Sequence, residues 1–322
     1  MTRGPGRAAW SNRPERPASS PRVESTLRRL ELDVFRRLDG LLQGDHLGLV
    51  PAPGTEAGES REYMPGDDVR RMDWPVTART TIPHVRDTIA DRELETWVVV
   101  DRSASLDFGT AQFEKRELAL AMVAAVGFLT SRAGNRVGAL VLRNDRTSFV
   151  PARSGREAML ALLHQVDSVP RSDDDTPPPS TDLHDALRTA SKLARRRGLI
   201  VVISDFLTKA DWQPAMRALA ARHDVLSVEI VDPREMELPP VGLVTLIDTE
   251  SGRRVEVQTA SEKIRARYAE AAAEQRAGIA RDIRATGSEH VVLRTDRDWL
   301  LDLARYVVGR KRRRAGRIAR VP

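Results

Sequence analysis

The segment WVVVDRSASLDFGT, Trp97 to Thr110, decides how this chain is read. Trp97, Val98, Val99 and Val100 form a short, unbroken apolar run, which is what a strand buried on both faces of a parallel sheet requires. The run stops at Asp101, and two serines follow at alternate positions, Ser103 and Ser105. A turn at the strand's C-terminal edge can gather these three oxygen-bearing side chains at one point.

Downstream the same type of run recurs between helical periods. Strands are predicted over 95–101, 136–142, 199–204 and 225–231, and helices over 113–132, 155–166, 182–196 and 211–222. Such alternation implies right-handed crossovers and a mostly parallel sheet covered by helices on both faces. Residues 241–258 break the pattern, with two alternating runs around Thr249–Gly252 that predict a β-hairpin. A long helix over 260–286, a strand over 290–294 and a helix over 297–308 complete the body. Upstream, residues 24–43 carry Leu27, Leu30, Leu32, Val34, Phe35, Leu38 and Leu41 at helical spacing, whereas 44–92 lose periodicity. That second stretch reads as irregular structure with a short strand pair and a functional surface. The organisation expected is a solvated tail over 1–22, a helix and irregular segment over 23–92, an α/β domain over 93–308, and a basic disordered tail over 309–322.

Charge and composition narrow the function classes. The chain of 322 residues carries a formal net charge of +6, but seven of the fourteen residues 309–322 are Lys or Arg, and residues 1–22 hold five Arg against one Glu. The body between them is net acidic. The basic character therefore belongs to the ends, where no aromatic residues interleave with the 309–322 arginines to stack bases, and nucleic acid is not the expected partner. Cysteine is absent, which removes disulfides, thiolate metal sites and cysteine nucleophiles together. No apolar run reaches about 18 residues and no leader pattern opens the chain, so a cytoplasmic protein is expected.

In doubly wound sheets the ligand site lies outside the carboxyl ends of the strands. Asp101, Ser103 and Ser105 follow the first strand there, Asp205 follows LIVVIS, and Ser180, Thr181 and Asp182 precede the helix beginning near Leu183. Hydroxyls and carboxylates alone make an oxygen shell suited to a hard cation such as Mg²⁺. Each piece also has a plain structural reading. Asp-x-Ser-x-Ser after a strand can serve as a cap, Thr181 and Asp182 can cap the following helix, and Asp205 can cap a turn before Phe206. For PGDDVRRMDW, residues 65–74, the plain reading is a charged turn with Trp74 tucked beneath it. Phosphate-loop, dinucleotide and nucleophile-elbow motifs are all missing, so a Mg²⁺-dependent hydrolase at the same site is the alternative class rather than the main one.

DRSAS, Thr181 and Asp205 resemble the metal-ion-dependent adhesion site of von Willebrand factor A domains, an Asp-x-Ser-x-Ser loop with a distant Thr and a distant Asp. REYMPGDDVRRMDWPVTAR, residues 61–79, together with SDF at 204–206 and VDPREMELP at 231–239, resembles segments of the bacterial family called domain of unknown function 58. The resemblance implies a von Willebrand A-like α/β fold and metal ligation by Ser103, Ser105 and Thr181, with Asp101 and Asp205 acting through water and hydrogen bonds. It implies Mg²⁺, or Mn²⁺, as the ion. It also implies a non-catalytic role in protein binding, in which a partner offers an acidic side chain to the metal. Members of that family are commonly encoded beside MoxR-type AAA+ ATPases, so an adaptor or co-chaperone of such an ATPase is the function expected.

Overall fold

The computed structural model describes residues 36–37, 60–64, 72–86, 95–131, 135–143, 147–171, 182–208, 210–247 and 253–318, with 311–318 as backbone only. In chain order its elements begin with β1 (Ser60–Glu62), α1 (Trp74–Thr80) and β2 (His84–Arg86), with β1 and β2 pairing antiparallel. β3 (Glu95–Asp101), α2 (Lys115–Ser131), β4 (Arg136–Leu142), β5 (Thr147–Arg153), α3 (Arg156–Asp167) and α4 (Leu183–Leu193) follow. Then come β6 (Leu199–Ser204), α5 (Gln213–Ala220), β7 (Asp224–Val231), the hairpin strands β8 (Leu243–Ile247) and β9 (Arg254–Gln258), α6 (Glu262–Ala285), β10 (Glu289–Arg294) and α7 (Trp299–Ile318).

The apolar runs build one six-stranded sheet in the order β10-β7-β6-β3-β4-β5. All neighbours are parallel except the edge pair β4 and β5. The side-chain period of two splits each central strand between two cores. On one face Val98, Val100, Val201 and Ile203 pack with α2, α3 and α7; on the other Trp97, Val99, Ile200 and Val202 pack with α4, α5 and α6. Val98, Val99 and Val100 are fully buried, and burying each such side chain is worth roughly 1.5–3 kcal/mol. The expected α/β class, parallel sheet, hairpin and short upstream strand pair are all present.

Several local expectations needed correction. β5 had no predicted counterpart, because Pro151 interrupts its pattern and an edge strand buries only alternate positions, Val150 and Ala152. α1 was missed as well. It forms because Asp73 Oδ1 accepts from the Val76 N–H at 3.3 Å and Pro75 presets the first turn. Trp74 is not tucked beneath that segment; it stands 66 % exposed. The last helix does not stop near 308 but continues to Ile318, ten residues into the stretch read as a disordered tail. Lys, Arg and Ala are strong helix formers, so the helix continues after its apolar period ends. The helix predicted over 24–43 lies outside the described residues apart from Arg36 and Arg37, which are helical; Arg37 reaches Asp298 at 2.7 Å.

Candidate metal centre at the switch point of the sheet

The chain leaves β3 toward β4 on one side and leaves β6 toward β7 on the other. Adjacent strands whose crossovers diverge open a crevice at their carboxyl ends, which is where open α/β sheets bind ligands. Asp101 ends β3 and Asp205 follows β6, so both carboxylates stand at this crevice.

Local hydrogen bonds fix each side chain. Asp101 Oδ1 accepts the Ser103 N–H at 2.9 Å, and its Oδ2 accepts the Ser204 hydroxyl at 2.8 Å. A single 3₁₀ turn, Ala104–Leu106, then brings the Ser103 and Ser105 hydroxyls to 3.1 Å. Ser204 accepts the Phe206 N–H at 3.0 Å, and Asp205 Oδ1 accepts the Leu207 N–H at 3.1 Å. Phe206 takes a left-handed φ of 56°, unusual for a bulky residue. Its ring is held in the core 5.3 Å from Trp212, which compensates that strain and keeps Asp205 at the crevice.

The two acids sit in different electrostatic surroundings. Burial, and then the charge of Asp205, push the Asp101 carboxyl up to about 6. Burial also acts to raise Asp205, but Lys115 outweighs it and holds that carboxyl below its ordinary range. Lys115 is fully buried, with Nζ 2.7 Å from Asp205 Oδ2 and 2.5 Å from Glu235 Oε1. Burial alone would lower the ammonium pKa, yet Asp205 and Glu235 together raise it. Arg276, from α6, extends the network. It donates to Glu235 Oε2 at 2.8 Å, Glu229 Oε1 at 3.0 Å and the Asp205 carbonyl at 2.9 Å, and His290 meets Glu229 at 2.8 Å.

Of the five residues expected to form the site, the structure brings together Asp101, Ser103, Ser105 and Asp205. Thr181 lies outside the described residues. Asp182 caps α4, accepting the Asp185 N–H at 3.0 Å, as its plain reading had it, and the capping bonds of Asp101 and Asp205 coexist with their placement at the crevice.

Lys115, Glu235 and Arg276 were not read from the sequence, although the helical period contains the signal. Lys115 shares a face with the buried Leu118, Ala119 and Met122, and Arg276 with Ala272, Ile279 and Ile283. A cation on an apolar stripe needs an internal anion.

The donor set fits a small divalent ion. A Mg²⁺ octahedron with bonds of 2.0–2.1 Å has an oxygen–oxygen edge of roughly 2.9 Å, close to the 3.1 Å between the two serine hydroxyls. Among the described residues no three Asp, Glu, His or Cys side chains form a metal cage, so the donors are these hydroxyls beside two carboxylates. Asp205, Glu235 and Glu229 face two fixed cations, Lys115 and Arg276, and Asp101 adds a fourth carboxylate close enough to feel the charge of Asp205.

The Mycobacterium tuberculosis protein Rv1480 is 53 % identical over 294 residues, spanning 91 % of this chain and 91 % of its own length. Among solved structures, BatB of Bacteroides thetaiotaomicron has 16 % identity and a TM-score of 0.44, covering 67 % of this chain and 98 % of its own. The SpRpn10 von Willebrand A domain has 12 % identity and a TM-score of 0.38, covering 65 % and 93 %. The family model described as "Protein of unknown function DUF58" matches residues 59–278, a span that contains the whole crevice from Asp101 to Arg276, and the chain belongs to that family.

Proposed function

We propose that this DUF58 protein is a metal-dependent protein-binding module, the adaptor or co-chaperone of a MoxR-type AAA+ ATPase. The observation that carries the reading is the pair of serine hydroxyls between two buried, unequally compensated carboxylates at the switch point of the sheet. Ser103 and Ser105 would hold Mg²⁺ or Mn²⁺ directly, and Asp101 and Asp205 would hold its water shell and orient the hydroxyls. Thr181, which lies outside the described residues, would complete the set as the adhesion-site resemblance implies.

Such an ion, when bound, supplies a positive centre left undercompensated by neutral hydroxyls, to which a carboxylate can coordinate. The protein's own groups keep the site selective for that contact. The Asp101 hydrogen bonds fix the loop, the two apolar cores exclude water from behind it, and Lys115 keeps Asp205 ionised. The reading is of binding without catalysis. A cytoplasmic location goes with this partner; among the described residues no helix is long and apolar enough to cross a membrane.

Calorimetric titration with MgCl₂ tests the site, and Asp101→Ala is expected to abolish the heat while the far-ultraviolet circular dichroism stays unchanged. A pull-down from native cytosol, with and without EDTA, tests the partner. The ATPase is expected only in the Mg²⁺ arm, and recovery in both arms would refute metal-dependent binding. Turnover of a phosphoester panel with Mg²⁺ would instead favour the hydrolase.

A further inference from the structure

Lys115 is an anomaly by every local rule. It opens α2, where the helix dipole is positive and a cation is disfavoured. It is also fully buried, where a charge survives only if paired. Position and burial both oppose it, so the two carboxylates it meets, Asp205 and Glu235, are what keep it there. Neither acid belongs to its own helix. Asp205 comes from the end of β6, and Glu235 from the 3₁₀ turn after β7. Glu235 is further held by Arg276 at 2.8 Å, and its Oε2 accepts the Asp232 N–H at 3.1 Å.

Glu235 thus supplies a second anchor on which the ammonium can rest. Asp205 in turn is the carboxylate that faces the serine hydroxyls across the crevice, and its Oδ2 is taken by Lys115.

We propose that Lys115 is a tethered cation that occupies Asp205 in the metal-free protein and competes with a divalent ion for it, shifting toward Glu235 when the ion enters. This deepens the function proposed above and rests on its metal reading. The residue then has two effects of opposite sign. It stabilises the metal-free fold by compensating a buried carboxylate, and it weakens metal binding by placing a positive charge on a carboxylate the ion needs. An ion would be held more tightly while a partner adds its own acidic ligand, so binding of ion and partner would be mutually reinforcing. A site without the lysine would retain its ion whether or not a partner is present.

The test is calorimetric titration of the full chain with MgCl₂ and with MnCl₂, for wild type, Lys115→Met and the charge-balanced Lys115→Met/Glu235→Gln. Thermal melts in EDTA and in Mg²⁺ accompany each titration. Met keeps the length and apolar stem of Lys without its charge. The double variant removes one positive and one negative charge, so it leaves the net charge of the pocket unchanged and serves if the single variant fails to fold.

The expected result is metal affinity at least tenfold tighter in both variants, with a lower melting temperature in EDTA that Mg²⁺ restores more fully than it raises wild type. Binding in the variants and none in wild type would support the inference in its strongest form. Wild-type affinity in either variant would overturn it: in the single variant because Lys115 would then be purely structural, and in the double because net charge alone would explain the gain. Absence of metal heat in all three proteins would refute the metal reading itself, and this inference with it.

Discussion

Asp232 offers the sharpest test of how the crevice is assembled, because one buried carboxylate there joins three separate segments. Its oxygens accept the Thr110 N–H at 2.9 Å, the Thr110 hydroxyl at 2.6 Å, the Arg234 N–H at 2.9 Å and the Thr295 hydroxyl at 2.8 Å. The loop after β3, the turn after β7 and the end of β10 therefore meet on a single side chain that is fully buried. Asp232→Ala removes four bonds to a charged acceptor. Each is worth about 1.5–3 kcal/mol when made alone, but they share one acceptor and the two hydroxyls can turn to other partners. A total of about 3–5 kcal/mol is the appropriate scale for breaking such a buried network. At about 2–4 °C per kcal/mol for a domain of this size, the melting temperature should fall by roughly 6–20 °C.

Acid sensitivity adds a second signature. Burial acts to raise the Asp232 pKa, but the Thr110, Arg234 and Thr295 bonds outweigh it and hold the carboxyl below 3.8. A depressed folded pKa means that the unfolded chain binds the proton first as pH falls. The contribution is therefore complete above about pH 4, and is lost as pH drops through the folded value. The gap between the melting temperatures of wild type and Asp232→Ala, followed by circular dichroism from pH 7 to pH 3, should narrow as pH falls below about 4. A difference under about 2 °C at pH 7, or a gap that stays constant down to pH 3, would refute the reasoning.

The remaining expectations are smaller or more local. Burial, followed by Arg222 and Arg197, lowers the His223 pKa, so the folded protein disfavours the imidazolium and should lose stability as pH falls below about 6.5; His223→Gln should flatten that slope in melts between pH 8 and pH 5. Arg310 is buried against Glu289 at 2.8 Å, so Arg310→Ala should destabilise by about 1–2 kcal/mol, measured by urea denaturation, whereas truncation after residue 318 should leave the midpoint unchanged. Thr181→Val keeps the shape of the side chain and removes its oxygen, so it should weaken partner binding about tenfold to a hundredfold while changing Mg²⁺ affinity less, as read by calorimetry and by partner titration at saturating Mg²⁺.

The central fold was legible because fully buried parallel strands are written as contiguous apolar runs. Leu199–Ser204 is an unbroken row of buried residues, and β3 is buried from Thr96 onward, so both could be placed to within a residue. Elements that depend on half-burial or on capping were not legible in the same way. β5 alternates exposed and buried positions around Pro151, and α1 has no buried residue to give it a period, only Asp73 and Pro75 at its start. The candidate site divides along the same line. Asp101, Ser103 and Ser105 lie within five residues, and their spacing alone suggested a turn. Lys115, Glu235 and Arg276 reach the same crevice from three distant elements, and only packing reveals that they meet.

That division also explains why the electrostatics of the crevice differ from those of the isolated motif. Asp-x-Ser-x-Ser with Asp205 would present two carboxylates with no fixed counter-charge, a site that any divalent ion should enter and keep. Packing changes the balance by delivering one lysine to one of the two acids. Asp205 becomes an ion pair, and Asp101, hydrogen-bonded to Ser103 and Ser204, bears the rise in pKa that burial first, and then the charge of Asp205, produce. The unequal pair is the consequence of where α2 begins. Had the helix started one turn later, Lys115 would lie in a loop, and the apolar face of Leu118, Ala119 and Met122 would no longer carry its ammonium to Asp205. The register of α2 therefore sets the charge of the crevice, and with it, on the proposed metal reading, how strongly an ion would have to be supported by a partner's carboxylate in order to remain.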